Sequence, residues 1–324
     1  MPPNRGASRS AWARPARLVG LRLLAAVPTL IGVALFTFLL VHLAPGNPLA
    51  LLDAGFRHGM PPGEQQALEA KFGLNEPLPV QFLTYVGHAV TGNLGISVEN
   101  STPVSQEILQ AAPYTLELAA SGLAISVLLG VLAGVIAAVW GGSWLDRILQ
   151  GGTLIGMSVP EFWLGEMAVL IFAVDLAWFP ASGAQGLSSL VLPVAVLGLR
   201  GAAPIARFTR TGMIDALNQA YIITARSKGI SESLVIFRHA LKNAFIPVVT
   251  IIGLNFGYLI GGAVVLEAIF NRPGLGTLLL NGILSNDYPV IQGTTLFIAL
   301  IYIGTNIVVD VSYLWFDPRV RVGE

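Results

Sequence analysis

Few residues of this chain are equipped for chemistry. Among 324 residues there is no cysteine, and the four histidines are His42, His58, His88 and His239. None of these forms the i, i+4 pair that would put two imidazoles on one helix face to hold a metal. No Gly-x4-Gly-Lys-Ser/Thr loop cradles a phosphate, and no Ser/His/Asp or paired-carboxylate constellation stands out. No catalytic residue, bound cofactor or metal is expected. The polar chemistry that remains falls in two places. Glu161, Glu166, Asp175 and Arg200 interrupt long apolar stretches, where ionisable groups are costly and face a cavity or a partner. A basic segment, 207–242, carries Arg207, Arg210, Arg226, Lys228, Arg238 and Lys242 against Asp215 and Glu232.

The elements that must position these residues are membrane helices. The chain is 54% hydrophobic and 11% charged, against about 25% charged for a soluble domain. That balance excludes a nucleic-acid binder, a disordered chain and a conventional soluble enzyme. Six stretches are long and apolar enough to span: 23–43, 116–139, 149 to about 179, 187–206, 243 to about 266, and 290 to about 314. The first is too long for a signal-peptide core and reads as a retained anchor. Alternating sides from an N-terminus inside places fourteen of the eighteen Lys and Arg residues inside. Only Arg57, Lys71 and Arg272 fall outside, and Arg200 lies within a span. The positive-inside rule therefore gives six spans with both termini cytoplasmic.

The organisation that follows is a basic cytoplasmic N-terminus (1–22), a first helix (23–43) and an external loop or cap (44–115). A five-helix core (116–314) and a cytoplasmic tail (315–324) complete it. The external loop is net acidic, with turn-rich residues 44–48 and 60–63 around a helical stretch at 64–72. Glu166 is expected to be buried, with Glu161 and Asp175 nearer the water interface and an internal ion pair to Arg200. Asn255 and Tyr258, flanked by Gly253, Gly257, Gly261 and Gly262, are candidate pathway-lining groups together with Glu166. The glycines themselves suit close helix packing.

The basic segment reads Tyr221-Ile222-Ile223-Thr224-Ala225-Arg226-Ser227-Lys228-Gly229, then Arg238-His239-Ala240-Leu241-Lys242-Asn243-Ala244-Phe245-Ile246-Pro247. Its physical reading is a short helix, a glycine turn and a second basic helix running into the next span. That makes a compact knob which a soluble partner could grip. The alternative is a positive loop that merely fixes topology. Ala225 is small either to let the knob enter a partner cleft or to pack within it. The four basic residues could meet acids on a partner or anionic lipid.

This arrangement resembles the cytoplasmic coupling loop, the EAA loop, of ABC importer permeases, and more narrowly their dipeptide/oligopeptide/nickel branch. Other motifs carry the resemblance along most of the chain. They are Pro45-Gly46-Asn47-Pro48, Gly92-Asn93-Leu94-Gly95-Ile96-Ser97, Ser158-Val159-Pro160-Glu161-Phe162, Glu267-Ala268-Ile269-Phe270, Pro273-Gly274-Leu275-Gly276, Asp287-Tyr288-Pro289 and Asp317-Pro318-Arg319. Ile223 stands where the general motif has glutamate, and Ala220 where the branch usually has aspartate.

The resemblance implies an all-α, type I ABC importer permease fold with six transmembrane helices in a bacterial inner membrane. It implies a second homologous permease, two ABC ATPase subunits that bind ATP and Mg, and an external solute-binding protein as partners, besides membrane lipid. Tyr221, Thr224, Ala225, Arg226, Lys228, Gly229 and Arg238 would be the ATPase-coupling residues. Peptides would be the cargo, with nickel or another small solute as the alternative. An ion-coupled secondary transporter is the rival class. It would show inverted repeats, and none is visible.

Overall fold

A computed structural model describes residues 7–43 and 76–316. Residues 45–48, 64–72 and 317–319, three of the stretches singled out above, lie outside the described residues. Among the described residues the regular elements are all helices, joined by turns and loops, apart from one isolated antiparallel bridge between Ile96 and Pro103.

Five helices among the described residues are long and apolar enough to cross a bilayer. They are Gly20–Leu43 within α1 (Ala7–Leu43), α3 (Val104–Val139), α6 (Ser188–Leu217), Pro247–Ile269 within α9 (Leu241–Ile269) and Tyr288–Val311 within α11 (Tyr288–Phe316). The sixth expected span is a broken one. Helix α4 (Trp144–Ser158) and helix α5 (Glu161–Ala168), which continues through π-helical turns Val169–Asp175, meet at 102°. The cause is Pro160, which lacks an N–H and forces Val159 into extended backbone at φ −78°, ψ 130°.

The remaining helices are short. They are α2 (Leu78–Val90), α7 (Ala220–Ser227), α8 (Glu232–Leu234, prolonged by π turns Val235–Ala240 into α9) and α10 (Leu275–Leu284). Two boundaries differ from the sequence reading. Helix α3 starts at Val104 rather than 116, so the end of the expected external loop is helical. At about 1.5 Å per residue it is roughly 54 Å long, more than hydrocarbon alone requires. Helix α6 runs on to Leu217, so Arg207 and Arg210 extend a span instead of opening a loop.

Contacts sort the residues into two compact units. One is built mainly on 114–272 and the end of α11. The tip of its core is a cluster of Val135, Ala138, Met213, Ala216, Ile222, Ala225, Val235, Ala240 and Ala244. The other contains 20–43, 76–113 and 273–303, with a core of Val104, Ile108, Ala111, Ala112, Leu275 and Val290. In this second unit α1 meets α2 through Phe38, whose ring lies edge-on to Phe82 at 5.5 Å. His42 bridges the same helices through the Phe38 carbonyl at 2.8 Å and Gln81 Oε1 at 3.1 Å.

Candidate functional site

The basic segment folds as its residues dictate. Helix α7 ends at Gly229, which has φ +73°. The Gly229 N–H donates to the Arg226 carbonyl at 2.9 Å and the Ile230 N–H to the Ala225 carbonyl at 3.3 Å. This is a Schellman cap, which satisfies the last carbonyls of a helix and requires one left-handed residue. Its usual apolar contact is present too, because Ile230 packs against the cluster that contains Ala225. The chain then turns into α8 and its π turns, and so into α9. Ile222, Ala225, Val235 and Ala240 point inward against Val135 and Ala138 of α3 and Met213 and Ala216 of α6. The knob is therefore packed onto the ends of two long helices and is continuous with a third.

Its other face is open. Tyr221, Ile223, Leu234 and Phe237 are exposed large hydrophobics, accompanied by exposed Thr224, Lys228 and Arg238. Thr224 Oγ1 donates back to the Ala220 carbonyl at 3.1 Å, and the Tyr221 hydroxyl accepts from Asn243 Nδ2 at 2.9 Å. At two of the seven coupling candidates the structure narrows what the sequence left open. Ala225 is buried inside the knob, so its small size serves internal packing and not entry into a partner. Arg226 has its carboxylate within this chain, with Nη2 2.5 Å from Glu232 Oε1 and Nε 3.1 Å from Oε2. The guanidinium holds the Glu232 carboxyl below the ordinary carboxylate range, and the carboxylate raises Arg226 in return. Glu232 was missed because its partner lies across a turn, at a spacing that no helical rule flags.

The second polar site lies at the break between α4 and α5. Arg200 of α6 donates from Nη1 to the Val159 carbonyl at 2.7 Å and from Nη2 to the Tyr258 hydroxyl at 2.6 Å. Its guanidinium also sits over the Tyr258 ring, 5.5 Å from the centroid. Arg200 Nε lies 3.7 Å from Glu161 Oε2, and both side chains are largely buried. Here the sequence reading had the carboxylates reversed. Glu161 is the shielded partner of Arg200, while Glu166 is exposed. Asp175 is exposed as expected for a residue near the span's end. Gly262 is bare beside Glu161, and a Cβ at 262 would meet the Glu161 carboxylate and push it aside.

Asn255 is buried and donates its amide to the Gly201 carbonyl at 2.8 Å, tying α9 to α6. Ser126 does the same between α3 and α6 by donating to the Gly198 carbonyl at 3.0 Å. Tyr258 remains half-exposed beside Arg200.

A third polar group escaped the sequence reading. Asp146, 2% exposed, accepts from Arg210 Nε at 2.7 Å and Nη2 at 2.8 Å, from the Gly142 N–H at 2.9 Å and from Gln150 Nε2 at 2.8 Å. Such a two-pronged pair fixes geometry as well as charge. The available signal was Ser143-x-x-Asp146, a helix-start signature. Ser143 Oγ indeed accepts from the Asp146 N–H.

In the other unit, two motifs far apart in sequence meet. Asp287 caps α11 through the Val290 N–H, and its second oxygen accepts from Ser97 Oγ at 2.7 Å and the Glu99 N–H at 3.1 Å. Gly95, at φ +88°, lies against Pro289.

Helices of spanning length, one broken span and an exposed basic knob make this an all-helical membrane protein that presents a folded knob beside its spans. Residues 130–322 match the family described as "Binding-protein-dependent transport system inner membrane component", and residues 16–119 match its N-terminal counterpart. The glutathione transport system permease protein GsiC of Salmonella choleraesuis (strain SC-B67) is 43% identical over 303 residues, covering 93% of this chain and 97% of the relative. The protein of the same name from Escherichia coli (strain K12) matches with the same identity and coverage. A chain of the MetNI methionine ABC transporter, solved in inward-facing conformations, shares the fold with a TM-score of 0.54 at 17% identity. The match covers 65% of this chain and 97% of that one. This chain belongs to the binding-protein-dependent transport system inner membrane component family. It is a multi-pass inner-membrane permease of an ABC import system.

Proposed function

We propose that this permease pairs with a second, homologous permease, that two ATPase subunits grip the two knobs, and that an external binding protein delivers short peptides to the pair. ATP and Mg²⁺ belong to the ATPase subunits. The observation that carries the coupling role is the Gly229 elbow. It turns an apolar and basic face outward while its inner face is packed onto α3 and α6. A partner that moves Tyr221, Ile223 or Phe237 thereby moves the ends of α6 and α9, because Met213, Ala216 and Ala244 share the knob's core. Closure of the ATPase pair around ATP would favour one global state of the spans and hydrolysis the other. Such a shift requires contacts that differ between the two states. The peptide assignment rests on relatives named for glutathione, a tripeptide. Both termini face the cytoplasm in this reading, on the positive-inside count.

The test is Gly229→Val in the reconstituted transporter with its ATPase and binding-protein partners. A β-branched residue at φ +73° is strained by about 1 kcal/mol or more and misaims the helix that follows. Substrate-stimulated ATP hydrolysis and uptake of labelled glutathione should be lost while membrane insertion persists. Wild-type rates at matched expression would overturn the coupling role. Uptake of nickel but not of peptide would overturn the cargo and leave the coupling role standing. Single cysteines at Gln81 and Ser231, in this cysteine-free chain, should label from opposite faces of the membrane.

A further inference from the structure

We propose that the cavity between α3, α4 and α6 binds one anionic phospholipid, with the phosphate at Arg207 and an acyl chain along Leu154 and Met157. The cavity has a volume of about 400 Å³ and opens to the surface. Its lining is divided by chemistry. Arg207, Arg210 and Thr153 lie with polar groups among them, whereas Leu149, Leu154 and Met157 supply an apolar wall.

The two arginines are not equivalent. Arg210 is neutralised by its two-pronged pair with Asp146. Arg207 is exposed and forms no ion pair among the described residues. The cavity therefore presents one uncompensated positive charge above a hydrocarbon-like surface. An anionic phospholipid has the complementary design, a single phosphate on an apolar chain. Free phosphate or a nucleotide would satisfy the arginine but leave the apolar wall without a partner.

The depth fits as well. The turn that joins α3 to α4 carries Trp140 and Trp144, 52% and 66% exposed. Exposed tryptophans at a helix end mark the headgroup level of a bilayer. Arg147, also exposed, reaches back to the Gly142 carbonyl in the same turn. Farther along α4, Leu154 and Ile155 are 61% and 65% exposed, a face suited to lipid tails. Basic pockets between spanning helices at this level take anionic headgroups. The assignment needs only that the chain spans the membrane, and it does not depend on the coupling role of the knob.

The experiment is native mass spectrometry of the assembled transporter. It would be purified as wild type and as Arg207→Gln, Arg207→Lys and Thr153→Trp, and titrated with phosphatidylglycerol or with phosphatidylcholine of the same chains. Wild type should retain phosphatidylglycerol in preference to phosphatidylcholine. Arg207→Gln should lower that retention about fivefold, the effect of one basic residue at a charged surface, and Arg207→Lys should preserve most of it. Thr153→Trp fills the cavity without altering charge and should also lower retention, which keeps the test decisive if one variant assembles poorly. Equal phosphatidylglycerol retention by wild type and both weakening variants would overturn the site. Equal retention of the two lipids by wild type would show an apolar slot without headgroup recognition. Displacement of the lipid by excess inorganic phosphate would show a free-anion site instead.

Discussion

The helix breaks at Gly229 and at Pro160 solve one problem in two solvents. At Gly229 a helix stops where water is at hand. The backbone needs only a left-handed residue and two cap hydrogen bonds, and no atom lies within 4 Å of where a Cβ would stand. At Pro160 a helix stops within an apolar stretch, where a carbonyl freed from its ladder has no water to bind. The Val159 carbonyl is met by Arg200, and that cation brings in Glu161, Tyr258 and a bare Gly262. The first break is local and is encoded by one residue. The second draws on four elements. A turn at the water can be simple, whereas a break inside a membrane must carry its own solvation.

The contrast fails most visibly if removing Arg200 is harmless. Arg200→Met leaves Glu161 and the Val159 carbonyl unpaired, at a cost of about 3 kcal/mol. It should sharply lower the yield of folded protein and its thermal midpoint in detergent. Arg200→Met with Glu161→Gln should recover part of the loss. A wild-type midpoint in the single variant would mean that the break needs no internal solvation. Next in size is Gly229→Asn set beside Gly229→Val. Asparagine tolerates left-handed backbone, so uptake should be nearly normal for the former and lost for the latter. Equal loss would place the importance of Gly229 in its bare surface and not in its φ.

Tyr258→Phe removes only the hydroxyl that receives Arg200 and should cost about 1 kcal/mol, measured as a shift in denaturation midpoint. The smallest effect belongs to the knob's surface pair. Because Glu232 titrates below its unfolded value, the pair's contribution is present above that value and lost as pH falls through the lower, folded one. As pH falls from neutral into the acid range the wild type should lose slightly more stability than Glu232→Gln, in midpoints read at each pH. Parallel curves would show that the pair contributes nothing.

How much of this was legible follows from where each partner lies. The spans, the elbow and the basic knob follow from apolar runs, a glycine and clustered charge, signals written within a few residues. Pro160 was visible too, but not the 102° bend. The choice of Glu161 over Glu166 rests on Arg200 and a bare Gly262, each on another helix, and no local pattern reports them. The same holds for Asp146 and Arg210, 64 residues apart, and for Ser97 and Asp287, 190 apart. Ala225 was left open between partner contact and internal packing because small size serves both. Only the packed cluster around it separates them.

The Val159–Arg200 contact also orders the birth of the protein. The two residues are 41 positions apart, so at about 5–20 residues per second the carbonyl leaves the ribosome roughly 2–8 s before its guanidinium. During that interval Glu161 likewise lacks its cation. A span whose freed carbonyl is solvated only by a later helix is expected to enter lipid more favourably together with α6 than before it.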